Sequence, residues 1–367
     1  MRIAILLSGG VDSATALARL KQQGFRDIRA YYLKIWLEDE MSYLGRCPWE
    51  EDLSYARAVC RDLEVPLEVV PLQLEYYDRV VSYAVAELKA GRTPSPDVFC
   101  NARIKFGAFY DAVDATFDYV ATGHYARVDR TGAAPLLRRA PDPVKDQTYF
   151  LSHLTEEQLS RILFPIGDLT KEQVRRLARE AHLAPMDRRD SQGICFLGKL
   201  RYTDFVRHYL GERPGDIVEL ESGRVLGRHR GYWFHTVGQR QGLGLGNGPW
   251  YVVRKDVDAN VIYVSHRCNV GERARDLFRS GELHWINGAP SEGPLQVKLR
   301  HGPDLVDAEL RYEAREPGEV QVRMAEADRG VAPGQFSVFY RGDVCLGAGK
   351  ILADVPVPAA ASAVPNP

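Results

Sequence analysis

Eight residues, Leu6-Leu7-Ser8-Gly9-Gly10-Val11-Asp12-Ser13, constrain this chain more than any other stretch. They grow out of Ile3-Ala4-Ile5-Leu6-Leu7, an unbroken apolar run of the kind that sits buried on both faces of a parallel sheet. Ser13 to Gln23 reads as a helix, with Ala14, Leu17 and Ala18 on its inner stripe and Gly24 as its stop. A strand, a Gly-Gly turn and a helix N-terminus together make an anion site. The glycines let backbone approach the ligand, the amides point at it, and the helix dipole favours negative charge.

Glycine-rich strand-to-helix turns are common in α/β proteins, so two glycines alone decide little. The whole string is sharper. It lacks the lysine of Gly-x-x-x-x-Gly-Lys-Ser/Thr, and it is not Gly-x-Gly-x-x-Gly. Ser-Gly-Gly-Val-Asp-Ser resembles the PP-loop of the ATP pyrophosphatases. That resemblance implies cleavage of ATP between the α- and β-phosphates and adenylation of a substrate oxygen.

At 367 residues the chain has room for two or three domains. No apolar run approaches the ~18 residues of a membrane span, and the chain starts directly on a strand, so neither a membrane partner nor a leader peptide is expected. A cytoplasmic enzyme is the expectation. A formal net charge of −1 argues against wholesale nucleic-acid binding. The clusters Arg138-Arg139, Arg175-Arg176, Arg188-Arg189 and Arg228-His229-Arg230 read singly as solvated faces, yet together they can form a stripe. Six scattered cysteines (Cys47, Cys60, Cys100, Cys195, Cys268, Cys345) contain no Cys-x-x-Cys pair. That excludes a zinc-finger pattern and a disulfide-dense secreted domain.

Further apolar strands are expected at Arg29–Trp36, Val65–Leu72 and Asp118–Thr122. Helices are expected at Trp49–Leu63, with Cys60 on its packed side, and at Tyr76–Leu88. Alternating β and α elements predict a doubly wound parallel sheet, α/β in class, whose ligand lies beyond the carboxyl ends of the strands, near Ser8, Leu33 and Gly123. Thr155 to His182 reads as two helical pieces, the second opened by the capping box Thr170-Lys171-Glu172-Gln173. From about residue 209 glycines become frequent and short strands alternate apolar with polar, which predicts one or two small β domains or a barrel. The expected division is 1–208 for the nucleotide-binding catalytic domain, 209–280 for a central β-rich domain, 281–354 for a C-terminal β-barrel, and a disordered Ala/Pro/Val tail at 355–367.

Two thiols lie in chemically suggestive surroundings. Cys100 follows Pro94-Ser95-Pro96-Asp97-Val98-Phe99, a rigid loop, with a helix expected to start near Ala102. A thiol beside a helix N-terminus has its thiolate favoured, and Asp97, three residues earlier, can serve as acid or base. A small buried hydrophobe is the competing reading of Cys100. Cys195 sits in the polar, glycine-bearing run Asp190-Ser191-Gln192-Gly193-Ile194-Cys195-Phe196-Leu197-Gly198. Two such thiols suggest persulfide transfer, with one carrier and one attacking or resolving thiol.

The motifs occur in a telling order. After the PP-loop come Gly91 to Asn101, Ile104-Lys105-Phe106-Gly107, Ala121-Thr122-Gly123-His124-Tyr125 and Lys145-Asp146-Gln147-Thr148-Tyr149-Phe150. Phe164-Pro165-Ile166-Gly167, the Cys195 run, His235-Thr236-Val237-Gly238-Gln239-Arg240-Gln241-Gly242-Leu243-Gly244 and Pro333-Gly334-Gln335 follow. This series, from residue 3 to about 351, closely resembles the tRNA-specific 2-thiouridylases. The resemblance implies 2-thiolation of the wobble uridine in tRNAs for Lys, Glu and Gln, with an adenine nucleotide alpha hydrolase-like first domain. By that resemblance Leu6, Leu7, Ser8, Gly9, Gly10, Val11, Asp12, Ser13, Leu33 and Gly123 bind ATP, with Mg²⁺ neutralising its phosphates. Cys195 carries the persulfide delivered by a sulfur-donor protein, Cys100 is the nucleophile that works with it, and Asp97 is the acid/base at the target uracil. Ser95, Pro96, Asp97, His124, Lys145, Asp146, Gln147, Arg300, His301 and Gln335 face the tRNA or its flipped-out base. No metal-ligand set is assigned, and a monomer is expected.

Two positions depart from the family pattern. Ser95 stands between the two prolines where Asn is usual, and Arg300-His301 stands where Arg-Tyr is common. The competing readings are another PP-loop enzyme, such as an argininosuccinate or GMP synthetase, and a non-catalytic RNA-binding relative. The paired loop thiols favour sulfur over nitrogen transfer, and intact Cys100, Asp97, Cys195 and PP-loop disfavour the second.

Overall fold

A computed structural model describes residues 1–35, 48–113, 116–190, 201–266, 275–314, 316–328 and 330–353. The apolar run at the N-terminus becomes β1 (Arg2–Leu6), the middle strand of a five-stranded sheet with β2 (Asp27–Lys34), β3 (Leu67–Pro71), β4 (Tyr119–Ala121) and β7 (Ile162–Leu163). The order is β3-β2-β1-β4-β7, and every pairing is parallel.

Alternation along β1 explains why the run has no polar member. Ile3 and Ile5 pack toward the helices Val11–Gln22, Pro48–Asp62 and Lys171–Glu180. Ala4 and Leu6 pack toward the opposite side, with Tyr76, Val80, Ile104 and Phe109. Helices thus cover both faces, as a doubly wound sheet requires.

Two local expectations are corrected. The helix near Cys100 begins at Pro96 rather than Ala102, because Pro is well suited to a first helical turn. A short helix, Pro96–Phe99, runs into a π-helix, Cys100–Ala108. Residues 155–182 hold only the helices Glu156–Ser160 and Lys171–Glu180, since β7 intervenes and extends the sheet. The wide turn recurs in the preceding layer, where Gln73–Tyr76, the π-turn Tyr77–Val81 and Ser82–Lys89 run end to end.

Beyond the helix Tyr202–Leu210 the chain is β-rich. Strands β8 (Gly215–Glu219), β9 (Val225–His229), β10 (Trp250–Asp256) and β11 (Val261–His266) form a four-stranded sheet. Strands β12 (Arg275–Trp285), β13 (Gly293–Lys298), β14 (Val306–Tyr312), β15 (Val320–Asp328), β16 (Phe336–Arg341) and β17 (Val344–Ile351) close into a six-stranded barrel through the β12–β17 pairing. Strand β12 crosses residues 280 and 281 without a break. The hairpin β5 (Ala126–Asp129) and β6 (Leu136–Arg139) leaves the first sheet and joins the barrel at β17. The parallel-sheet domain is therefore stitched to the C-terminal barrel.

Candidate active site

The turn after β1 is held by its own hydroxyls. Ser13 Oγ accepts from Ser8 N (3.2 Å) and donates to Gly10 O (3.2 Å). Gly9 has φ +74°, and a Cβ there would collide with the Asp52 backbone, so glycine is required twice over. Arg188 pins this peptide from outside, donating to Gly9 O (2.9 Å) and pairing with Asp52 (2.5 Å).

Gly123, at the end of β4, lies against the same turn. A Cβ at Gly123 would stand 2.6 Å from Ser13 N and 2.8 Å from the Asp12 carbonyl carbon. Two adjacent parallel strands thus deliver their carboxyl ends to one crevice, as strand order predicts. Leu33 is half-buried near the end of β2, packed on the core.

A charge cluster surrounds the crevice. Lys171 Nζ lies 2.7 and 3.0 Å from the two Asp12 oxygens, and Tyr125 donates its hydroxyl to Asp12 at 2.8 Å. Asp190 receives Lys145 (2.6 Å), Lys171 (2.7 Å) and Arg175 (2.6 Å). Burial alone would raise the Asp190 carboxyl, but Lys145 and Lys171 together hold it at about 2. Sequence reading missed Lys171, Tyr125 and Asp190 as site residues. Lys171 was visible only as part of a capping box, which does form. Arg175 and Arg188 were visible as members of basic doublets, and these two turn inward while Arg176 stays exposed.

Cys100 is buried at 1% exposure, and burial pushes its thiol up to about 11. The expectation of a thiolate favoured by a helix N-terminus is corrected: Cys100 follows the first turn and lies in the interior. Asp97 is half-buried on the same helical run. Cys195, Cys47 and Cys268 lie outside the described residues. Cys60 is buried, as its packed position predicted.

The remaining candidates divide into two groups. Asp146 is fully buried, bonded to Lys298 Nζ (2.9 Å), Arg139 Nε (3.2 Å) and Thr148 Oγ1 (2.9 Å), so its assignment as a tRNA-facing residue is corrected to an internal counter-ion. His124 is turned inward as well. Its Nδ1 meets Thr122 Oγ1 at 2.8 Å and its ring packs near Phe106 and Phe164, while burial keeps it neutral.

Ser95, Pro96, Gln147, Arg300, His301 and Gln335 are drawn into one neighbourhood by backbone contacts. Thr93 N donates to Pro333 O (2.9 Å), placing the Gln335 turn against the Ser95 loop. Tyr149 reaches Leu299 O and Phe336 O, and Ser95 hydrogen-bonds its hydroxyl. Gln147 Oε1 accepts from Tyr125 N (2.9 Å). Exposed His301 stacks on Phe150 (4.9 Å, 21°), while Arg300 pairs with Asp328 at 2.7 Å. Thr236, from the central domain, meets Thr93 at 3.4 Å. The rim therefore draws on three parts of the chain.

This sheet, with its Ser-Gly-Gly-Val-Asp-Ser turn at the switch between β1 and β4, defines a PP-loop nucleotide-binding α/β domain carrying β-rich extensions. Family models agree along the length: a tRNA methyl transferase HUP domain matches residues 1–199, a tRNA methyl transferase PRC-barrel domain 203–266, and an aminomethyltransferase beta-barrel domain 275–351. The chain belongs to the tRNA-specific 2-thiouridylase family. It is 46% identical to tRNA-specific 2-thiouridylase MnmA 1 of Bacteroides thetaiotaomicron, over 96% of this chain and 99% of that one. It is 44% identical to tRNA-specific 2-thiouridylase MnmA of Parabacteroides distasonis, with the same coverage. Among solved structures, the U34-tRNA thiolase NcsA from Methanococcus maripaludis is 14% identical, covering 57% of this chain and 64% of that one, with a TM-score of 0.33.

Proposed function

We propose that this chain replaces the 2-oxygen of the wobble uridine of tRNAs for Lys, Glu and Gln with sulfur, using ATP. Uracil O2 attacks the α-phosphorus and pyrophosphate leaves, giving an O2-adenylated base. The Cys195 persulfide is the sulfur source. The Cys100 thiolate attacks Cys195 Sγ and displaces hydrosulfide, which adds at C2 and expels AMP. The Cys100–Cys195 disulfide that remains takes two electrons and two protons from a dithiol reductant to reset. Asp97 is the acid/base at the base itself.

The single observation that best supports this reading is the cluster at the mouth of the turn. Lys171, Lys145 and Arg175 converge on two carboxylates beside a helix N-terminus, Asp12 and Asp190. Such cations suit the charge that builds up on a departing pyrophosphate. Among the described residues no group of three His, Cys, Asp or Glu side chains can cage a metal. That suits Mg²⁺, which binds through nucleotide phosphates and one or two carboxylates, with Asp12 as the carboxylate that would hold it; the ion would neutralise phosphate charge. Ser95, Gln147, Arg300, His301 and Gln335 form the RNA-facing rim, and a sulfur-donor protein loads Cys195. No helix among the described residues is long and apolar enough to cross a membrane.

The test incubates the protein with ATP, Mg²⁺, a persulfide donor and unmodified substrate tRNA, and reads nucleosides by mass spectrometry. 2-Thiouridine and AMP are expected, with both lost in Cys100→Ser and Cys195→Ser. Release of ADP instead of AMP overturns the reading.

A further inference from the structure

The Ile104-Lys105-Phe106-Gly107 motif has no part in the chemistry above, yet its lysine occupies a telling place. Cys100 opens a π-helix that runs to Ala108. A π-helix closes its hydrogen bonds from i to i+5, and such wide turns gather at functional sites. In an α-helix a residue five positions on lies well round the cylinder, at ~100° per residue. The wider turn brings Lys105 back toward the side that carries Cys100.

Lys105 is also held there. Its Nζ donates to Asn101 Oδ1 at 2.9 Å, and Asn101 Nδ2 donates to Phe150 O at 3.0 Å. Asn101 is itself buried at 3% exposure. The ammonium therefore stands on a fixed strut that reaches from the Cys100 helix to the Lys145–Phe150 loop. Its charge acts on Cys100 and on His124, the residue that follows Gly123 at the PP-loop.

We propose that Lys105 is a positioning residue for sulfur transfer, the counter-charge that lets buried Cys100 ionise. This rests on Cys100 being the attacking thiol of the proposed reaction. Ionisation sends one proton to water and leaves one negative charge on Sγ. A thiolate in an apolar interior is costly without a cation near it.

The other groups packed around this helix do not supply that charge. Asp97, on the same run, opposes the thiolate. On the segment packed against it, burial holds Tyr149 and His153 neutral, as it does His124 and Tyr110. Arg103 lies over the Phe99 ring, and on the neighbouring π-turn Asp78 is exposed while Arg79 pairs with Asp111.

The test measures methylthiolation of Cys100 by a small neutral reagent, methyl methanethiosulfonate, in the full-length protein by peptide mass spectrometry at pH 8; the thiolate takes the methylthio group as a mixed disulfide and methanesulfinate leaves. Lys105→Met keeps length without charge, and Lys105→Arg keeps charge. A nearby charge shifts a thiol by about one pH unit or more, so Lys105→Met is expected to react about tenfold more slowly. Lys105→Arg is expected to stay within about threefold of wild type on the same principle. Equal rates for Lys105→Met and wild type overturn the proposal. So does Lys105→Arg falling with Lys105→Met, which shows shape rather than charge, or a wild-type Cys100 that never reacts. No ATP or tRNA is present, so this result stands apart from the thiolation assay. Absent 2-thiouridine with an intact methylthiolation difference defeats the reaction and not the lysine's effect.

Discussion

Lys171 Nζ sits 2.7 Å from one carboxylate oxygen of Asp12 and 3.0 Å from the other, so the lysine that opens the helix Lys171–Glu180 clasps the acidic residue of the PP-loop. It also touches Asp190 at 2.7 Å, with its side chain 13% exposed. A cation this enclosed is poised to exchange carboxylate oxygens for phosphate oxygens. Hydrogen bonds to charged groups contribute about 1.5–3 kcal/mol. Lys171→Met is therefore expected to weaken ATP-dependent pyrophosphate release by about 10- to 100-fold. Unaltered release kinetics would remove Lys171 from the phosphate site.

Gly123→Ala is expected to abolish nucleotide use without unfolding the chain. Its Cβ would press on the Asp12–Ser13 backbone, which has no side-chain freedom with which to yield. Forced overpacking costs about 1–3 kcal/mol. A modest fall in melting temperature with loss of ATP binding by calorimetry is the expected pair of results. Wild-type ATP affinity would contradict the close approach of β4 to the turn.

Asp146→Ala is expected to be a folding lesion. It strands Lys298, whose side chain is 0% exposed, together with Arg139 at 3.2 Å. Removing one member of a buried ion pair costs about 3–5 kcal/mol. Chemical denaturation should report that loss. The double variant Asp146→Ala with Lys298→Met should recover part of it, because the fully buried ammonium is then gone and only Arg139, with 19% of its side chain exposed, lacks its carboxylate. A single variant as stable as wild type would refute the counter-ion role.

Acid sensitivity follows from buried imidazoles, since burial holds His124, His153, His229 and His235 below the ordinary histidine value. Burial pushes His153 down to about 3 and His235 down to about 4 in the fold. The unfolded chain protonates both near pH 6.5. Above that neither affects stability. As pH falls from about 6.5 toward 4, the unfolded state takes up two protons that the folded state refuses, so stability drops by about 1.4 kcal/mol per unit for each. His153→Phe, which fits the aromatic company of Phe99 and Phe336, is expected to lower that slope by about 1.4 kcal/mol per unit in urea titrations at pH 6 and 5. An unchanged slope would show that His153 is not held neutral.

The rim residues show why some assignments were legible and others were not. The strand, the glycine turn and the helix around residues 2–22 are contiguous and strongly patterned, so period and composition specify them. Asp146 and Gln147 are neighbours in an evidently functional run. Nothing in that run says that one pairs with the buried Lys298 of β13 and the other turns toward Tyr125. Lys171 read as an ordinary helix-capping segment because its partners, Asp12 and Asp190, lie far off along the chain.

Local chemistry thus determined the α/β class, the anion-binding turn, the β-rich second half and the family, because each depends on residues close in sequence or on their order. Tertiary structure decided the charge cluster, the burial of Cys100, the inward turn of Asp146 and His124, and the stitching of the β5–β6 hairpin to the barrel. Those depend on which distant segments share an interior. There, desolvation and the need to pair every buried charge set each side chain's role, and no window of sequence contains that information.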